Sequence, residues 1–368
     1  MSATISDPGG CRCLTGYFGS DCGIPDAVWY SCLNGTTCSP EYFRVRNRPK
    51  RIIHAFNVNH EVEFFEIRME EIGHVVDVFI VGESNFTARG DAKPLYLFPL
   101  LQAGFMSHLQ KKMIHVLIEN NSALNWTDGW SVDSYLRDFT GQKGLERIKG
   151  IRDDDLFLLL DADEIPSPEV LLFLKLYDGY PEPIALSMTW SVFGFFWKRL
   201  AIGSADSEDV TRVVAATSVR MIHQVYDTQV MSLRKNHVNE EPLKSRISNY
   251  TAQGGQYELW DIGRVGHLSG FHCSWCYTPE GIRIKMTSAQ NSDKPRWGDD
   301  PDKMKVEYIR RLINTGQWFD GSWPFLQVDP HKDRHSAPSF VLRNHHRFTY
   351  LLNNSRPLRK YQLKKWKL

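Results

Sequence analysis

The chain has 368 residues, 42% of them hydrophobic and 12% aromatic, enough for one large α/β domain or two smaller ones around a packed core. Basic and acidic residues balance to a formal net charge of +1, which argues against a nucleic-acid partner. No run approaches the roughly 18 apolar residues of a membrane span, and residues 1–10 lack the basic and apolar regions of a secretory leader, so the chain as given reads as soluble.

Residues 1–48 form a zone of their own, short of apolar runs and rich in Gly, Pro and Cys. Five of the seven cysteines crowd it (Cys11, Cys13, Cys22, Cys32 and Cys38). Six Asn-x-Ser/Thr sequons, at Asn34, Asn85, Asn120, Asn125, Asn249 and Asn353, exceed the about two expected by chance. Both features favour a lumenal or extracellular history. The stretch from Cys11 to Cys22 resembles the second half of an epidermal-growth-factor-like module; that resemblance implies a Cys13–Cys22 pair and leaves Cys11 without its usual mate.

From Lys50 strands and helices alternate. Arg51 to Asn57 reads as a first strand, Glu61 to Ile72 as an amphipathic helix, and Val76 to Val81 as a second strand ending at Glu83-Ser84-Asn85. Lys111 to Ile118 is a third strand, Ser131 to Ile148 is mostly helical, and Leu156 to Leu160 is a fourth strand, apolar enough to be buried on both faces. No glycine fingerprint follows the first strand, which disfavours dinucleotide oxidoreductases and P-loop NTPases. Tyr177 to Pro181 is a turn, aromatic Trp190 to Trp197 a further strand region, and the stretch from about 203 to 262 has the least clear periodicity.

The fourth strand runs straight into Asp161-Ala162-Asp163-Glu164. Ligands of parallel sheets bind beyond the carboxyl ends of the strands. Asp161 and Asp163 stand two apart, so in extended backbone both carboxylates project to one side and share a hard divalent cation, Mn²⁺ or Mg²⁺, which suggests a metal-held diphosphate. Against this, Asp-x-Asp is cheap, and it recurs at Asp153/Asp155 and Asp300/Asp302 in turn-like surroundings.

Several longer motifs are similar to those of glycosyltransferase family 17. They are Ala55–Glu61, Glu83–Thr87, Asp161–Pro166, Gly194–Trp197, His272–Cys276 with Thr278–Gly281, Ser288–Asn291, Pro295–Asp299 and Gly316–Gly321. The match runs over roughly residues 50 to 350. It implies a GT-A nucleotide-sugar fold, a mixed, mostly parallel twisted sheet flanked by helices, with the catalytic domain at 49–350 between the cysteine-rich head (1–48) and a basic tail (351–368). It also implies inverting transfer of N-acetylglucosamine from UDP-GlcNAc to the core β-mannose of an N-glycan, in the Golgi lumen. Family members are typically anchored in the membrane by a segment this chain lacks.

The resemblance assigns further roles. Glu83 and Ser84 fall where a GT-A donor site meets uridine and ribose, although Glu83 also fits a simple turn cap. His272 is a third metal ligand beside Asp161 and Asp163, or a structural histidine. Cys273 and Cys276 form a local disulfide or pack as thiols. An inverting transfer needs a general base; the candidates are Asp299, Asp320 and Glu280. Asp299 ranks first because Arg296 and Trp297 beside it would orient phosphate and sugar. Behind them stand Asp206, Glu208, Asp209, Glu258 and Asp261. The competing reading is a non-catalytic carbohydrate-binding or adhesion protein, suggested by the head and the sequons. A glycosyltransferase of different donor or acceptor preference also stays open.

Overall fold

The computed structural model describes residues 5–7, 10–33, 38–120, 128–199, 210–289, 296–321, 325–332 and 336–354. Asp206, Glu208, Asp209, the sequon residues Asn34 and Asn125, and all but the first residues of the expected basic tail lie outside them. The chain divides into two compact units. The first comprises Met1–Thr189, Val210–His272 and Ser288–Gln290; the second comprises Trp190–Asp209, Cys273–Thr287 and Asn291–Leu368.

The first unit is a mixed α/β layer structure. Strands Ile52–Val58, Val78–Ser84, Met113–Ile118 and Leu156–Leu159 run parallel, with Ile52–Val58 between Leu156–Leu159 and Val78–Ser84. The first and fourth of these are buried almost throughout, as their β-branched and leucine-rich sequences require. Beyond Leu156–Leu159 the sheet turns antiparallel through Val210–Ser218 and Ile184–Val192, and at its far edge Glu164–Pro166 pairs with Gly270–Ser274. That last register sets Glu164 opposite His272.

Helix Gly129–Leu145, capped by the Asp128 side chain accepting from the Ser131 N–H at 2.9 Å, lies very close to the sheet. Glycines allow the approach: a Cβ on Gly144 would stand 2.1 Å from Ile80, and one on Gly82 would stand 2.0 Å from Thr140 Oγ1. The helix thereby carries Arg137 to the carboxyl ends of the strands.

The cysteine-rich segment is no separate module. Its helix Asp26–Cys32 contributes Ala27, Val28 and Cys32 to the hydrophobic cluster that holds Phe56, Leu158 and Trp260. Tyr30 stacks on His267 with ring centroids 3.7 Å apart, and Tyr177 donates to Asp21 at 2.5 Å. A segment too short to bury a core alone has borrowed one from the sheet. Disulfides join Cys13 to Cys22, Cys32 to Cys38 and Cys273 to Cys276.

Two local expectations change. The aromatic run is strand only to Val192; it turns at 193–196, where a Cβ on Gly194 would lie 2.3 Å from the Phe196 ring, and resumes as Trp197–Lys198. The unpatterned stretch contains the nine-residue strand Val210–Ser218 and helices Val219–Gln224, Val230–Lys235 and Leu243–Ala252.

Candidate active site

The Asp161–Glu164 segment leaves the fourth parallel strand as a turn, closed by the Glu164 N–H donating to the Asp161 carbonyl at 3.0 Å. The premise of extended backbone therefore fails here, and the two aspartates part. Asp161 faces two arginines. Arg137 donates through Nε and Nη2 to Oδ1 at 2.9 and 2.7 Å, and Arg234 donates through Nη2 to Oδ2 at 2.8 Å. Burial alone would raise the Asp161 carboxyl, but Arg137 and Arg234 outweigh it and hold the pKa well below the carboxylate range. Asp163 instead faces His272, whose Nε2 stands 3.9 Å from Oδ1.

Glu164 organises the turn. Its buried carboxylate accepts from the Asp161 N–H at 2.7 Å and from both terminal nitrogens of Arg234 at 2.9 and 2.7 Å. Arg68, fully buried on helix Val62–Ile72, donates to the backbone carbonyls of Asp161 and Glu164. It also contacts His54 Nε2 at 2.5 Å, while Nδ1 of that ring meets the Leu158 carbonyl at 3.2 Å. Burial and the Arg68 charge push the His54 pKa far down, so the ring is neutral, donates to Leu158 and accepts from Arg68. Burial brings Arg68 itself down to about 10. Arg137 completes the cluster by pairing with Asp133 one turn away.

Among the described residues no three His, Cys, Asp or Glu side chains converge on one ion position. The donor chemistry nevertheless suits a divalent cation. Asp163 and His272 offer a carboxylate and an imidazole, and the Thr211 hydroxyl lies 2.8 Å from His272 Nδ1. Held at Nδ1, the ring presents Nε2 towards Asp163, the arrangement that outer-shell partners impose on metal-binding histidines. Cations of this class complete their shells with phosphate oxygens and water. Asp161 would join them only by exchanging its arginines.

Glu83 is buried, and its carboxylate accepts from the backbone N–H groups of Tyr96, Leu97 and Phe98 at 2.5, 2.7 and 2.8 Å, as the turn-cap alternative anticipates. Ser84 donates to the Phe86 carbonyl at 2.7 Å. Neither side chain is turned to the 161–164 cluster by a hydrogen bond.

Arg296, Asp299, Asp320 and Glu280 belong to the second unit, Glu258 and Asp261 to the first. Arg296 pairs with Asp299 at 3.2 Å and also donates to the Thr287 carbonyl. Asp299 is 68% exposed in its side chain. Next to it, Trp297 stacks on Phe319 with centroids 4.4 Å apart, and Trp275 and Trp318 edge the same pair. Asp320, the residue after Phe319, and Glu280, in the first turn of helix Pro279–Ser288, are both exposed. The unit thus assembles aromatic faces with carboxylates beside them.

Sequence reasoning missed Arg68, Arg137, Arg234 and the anchoring role of Glu164. Arg68 had a signal: a lone cation among Phe64, Phe65, Ile67 and Met69 is out of place unless it is buried with partners.

The model of glycosyltransferase family 17 matches residues 24–208, a span that includes Arg68, Arg137, Asp161 and Asp163. The human β-1,4-mannosyl-glycoprotein 4-β-N-acetylglucosaminyltransferase is 42% identical over 94% of this chain, which spans 62% of its length. The rat and mouse enzymes of the same name are each 41% identical over 94% of the chain, which spans 61% of each. The apo-form glycosyltransferase GlyE of Streptococcus pneumoniae is 14% identical over 57% of the chain and 44% of its own, with a TM-score of 0.24, at which the likeness carries no argument.

Proposed function

The chain belongs to glycosyltransferase family 17, and from that premise we propose that it transfers N-acetylglucosamine from UDP-GlcNAc in β-1,4 linkage, with inversion, to the core β-mannose of N-glycans. The observation that carries the reading is the 42% identity, sustained over 94% of the chain, to a relative named for that reaction. The acidic turn supports it. An Asp-x-Asp-Glu segment at the carboxyl end of a buried parallel strand is where a GT-A fold of the first unit would seat its donor.

Charge supports a divalent cation, Mn²⁺ before Mg²⁺. Around the turn the guanidinium groups of Arg68, Arg137 and Arg234 face the carboxylates of Asp133, Asp161, Asp163 and Glu164, so the cluster alone has no net positive charge to offer a diphosphate. When bound, the cation supplies charge compensation for the departing UDP. Asp163, His272 and, after exchange, Asp161 would hold it. The chain's own residues do the rest: the arginines orient the donor, and a carboxylate, Asp299 before Asp320 and Glu280, takes the proton of the attacking hydroxyl. The half-buried Trp297 ring, backed by the buried Phe319, gives the apolar side of a sugar a surface to lie on.

A secretory setting, the Golgi lumen in this reading, is supported by the three disulfides and by exposed sequon residues Asn120, Asn249 and Asn353. Among the described residues no helix is long and apolar enough to cross a membrane.

The test is incubation with UDP-GlcNAc, Mn²⁺ and a bi-antennary N-glycan, read by mass spectrometry and linkage analysis. One added N-acetylhexosamine on the core β-mannose supports the reading. Transfer only from another nucleotide sugar, or to another position, replaces the substrate and keeps the class. Glycan binding without UDP release favours the carbohydrate-binding alternative.

A further inference from the structure

Arg234 stands at the centre of the charges around the turn. One guanidinium nitrogen serves Asp161 Oδ2 and Glu164 Oε1 at 2.8 and 2.7 Å, and the other serves Glu164 Oε2 at 2.9 Å. Its helix, Val230–Lys235, is fixed to the helix that carries Arg137. The Met231 N–H donates to Asp138 Oδ1 at 2.9 Å, and Val230 lies so near Gly141 that a Cβ there would stand 2.6 Å away.

The two carboxylates that Arg234 holds differ in kind. Glu164 is 2% exposed and anchors the turn through the Asp161 N–H; the Asp161 side chain is 29% exposed and serves no backbone group. One partner is fixed and the other can be exchanged. Arginine has five N–H donors in a planar fork suited to phosphate oxygens, and releasing Asp161 would still leave Arg234 bidentate on Glu164.

We propose that Arg234 is the exchange residue of the donor site. It neutralises Asp161 before the donor binds, gives that carboxylate up to a bound divalent cation, and then donates to the diphosphate of the sugar nucleotide while staying on Glu164. This rests on the donor reading of the turn given above. The exchange has a signature that a purely structural arginine lacks: Arg234 competes with the cation alone but favours the nucleotide once the cation is present.

Isothermal titration of the whole chain with Mn²⁺ alone, and with UDP at saturating Mn²⁺, tests this on wild type, Arg234→Met and Arg234→Lys. In Arg234→Met, Mn²⁺ alone should bind several-fold more tightly and UDP about tenfold or more weakly, the loss of a charge-assisted contact. Arg234→Lys, which keeps the charge without the fork, should fall between for UDP. Unchanged UDP affinity in Arg234→Met overturns the proposal. So does a parallel loss of Mn²⁺ and UDP binding in Arg234→Lys, because that pattern marks a structural post. A wild-type chain that binds no UDP at all removes the donor reading itself, and this inference with it.

Discussion

Arg68 donates to the backbone carbonyl of Asp161, whose side chain is held at the same time by Arg137 and Arg234. The acidic turn is thus fixed by a buried cation on a helix as well as by its place after a strand. Replacing Arg68 by Met would take one donor from each of the Asp161 and Glu164 carbonyls, the first keeping only the Glu164 N–H, and remove one positive charge from a carboxylate cluster. A loss of about 3 kcal/mol or more is expected, the scale for breaking a buried, hydrogen-bonded charge. Urea denaturation followed by tryptophan fluorescence measures it, and an unchanged midpoint would refute the role given to Arg68.

The two aspartates should separate in their effects. Asp163→Ala removes a carboxylate that faces His272 at 3.9 Å, so transfer should vanish while the melting temperature stays close to wild type. Asp161→Ala leaves Arg137 and Arg234 without their shared counter-ion, so activity should vanish and the melting temperature fall as well. Activity of the wild type should be lost in EDTA and return with Mn²⁺. Full turnover by Asp163→Ala in chelator would end the metal assignment.

The parallel half of the sheet was legible because its signals are local: a run such as Leu156–Leu159 is buried on both faces and can hardly be anything else. The Asp161–Glu164 segment was legible as a carboxylate cluster after a buried strand but not in its geometry, since two residues of spacing mean one face only while the backbone stays extended. Arg234 was out of reach. It lies in a stretch without periodicity, and its approach to Asp161, 73 residues away in sequence, is made by packing between two helices. The packing of the head was out of reach for a similar reason, because its few apolar residues look isolated until the sheet supplies their neighbours.

That embedding predicts that the fold needs the head. Removing residues 1–43 would uncover the cluster surface now covered by Ile24, Ala27, Val28 and Phe43. At roughly 1.5–3 kcal/mol for each large buried side chain, the loss is comparable to the whole stability of an ordinary domain. A chain starting at Arg44 should therefore be insoluble or melt far below the full chain in a thermal scan. A soluble, fully active truncation with an unchanged melting temperature would show that the head only decorates the sheet. Peptide mapping without reductant should find Cys13 joined to Cys22 and Cys32 to Cys38.

The general base is the most exposed assignment. Asp299 pairs with Arg296 at 3.2 Å and flanks Trp297, so a carboxylate, a cation and an aromatic face occupy four consecutive residues. If Asp299 takes the proton of the mannose hydroxyl, Asp299→Asn keeps the shape but removes the basic lone pair. The expected result is a fall in kcat of roughly 10²-fold or more, with KM for UDP-GlcNAc little changed. An exposed carboxylate that merely pairs with its neighbour is worth at most about 1 kcal/mol to stability, and its amide should leave kcat nearly intact. Glu280→Gln and Asp320→Asn, assayed under the same saturating donor, make the comparison specific. A selective kcat loss in one of those two would move the base there and keep the reaction class. If none of the three shows it, Glu258 and Asp261 come next; Asp261 is already paired with Arg212, so Glu258 is the first of that pair to test.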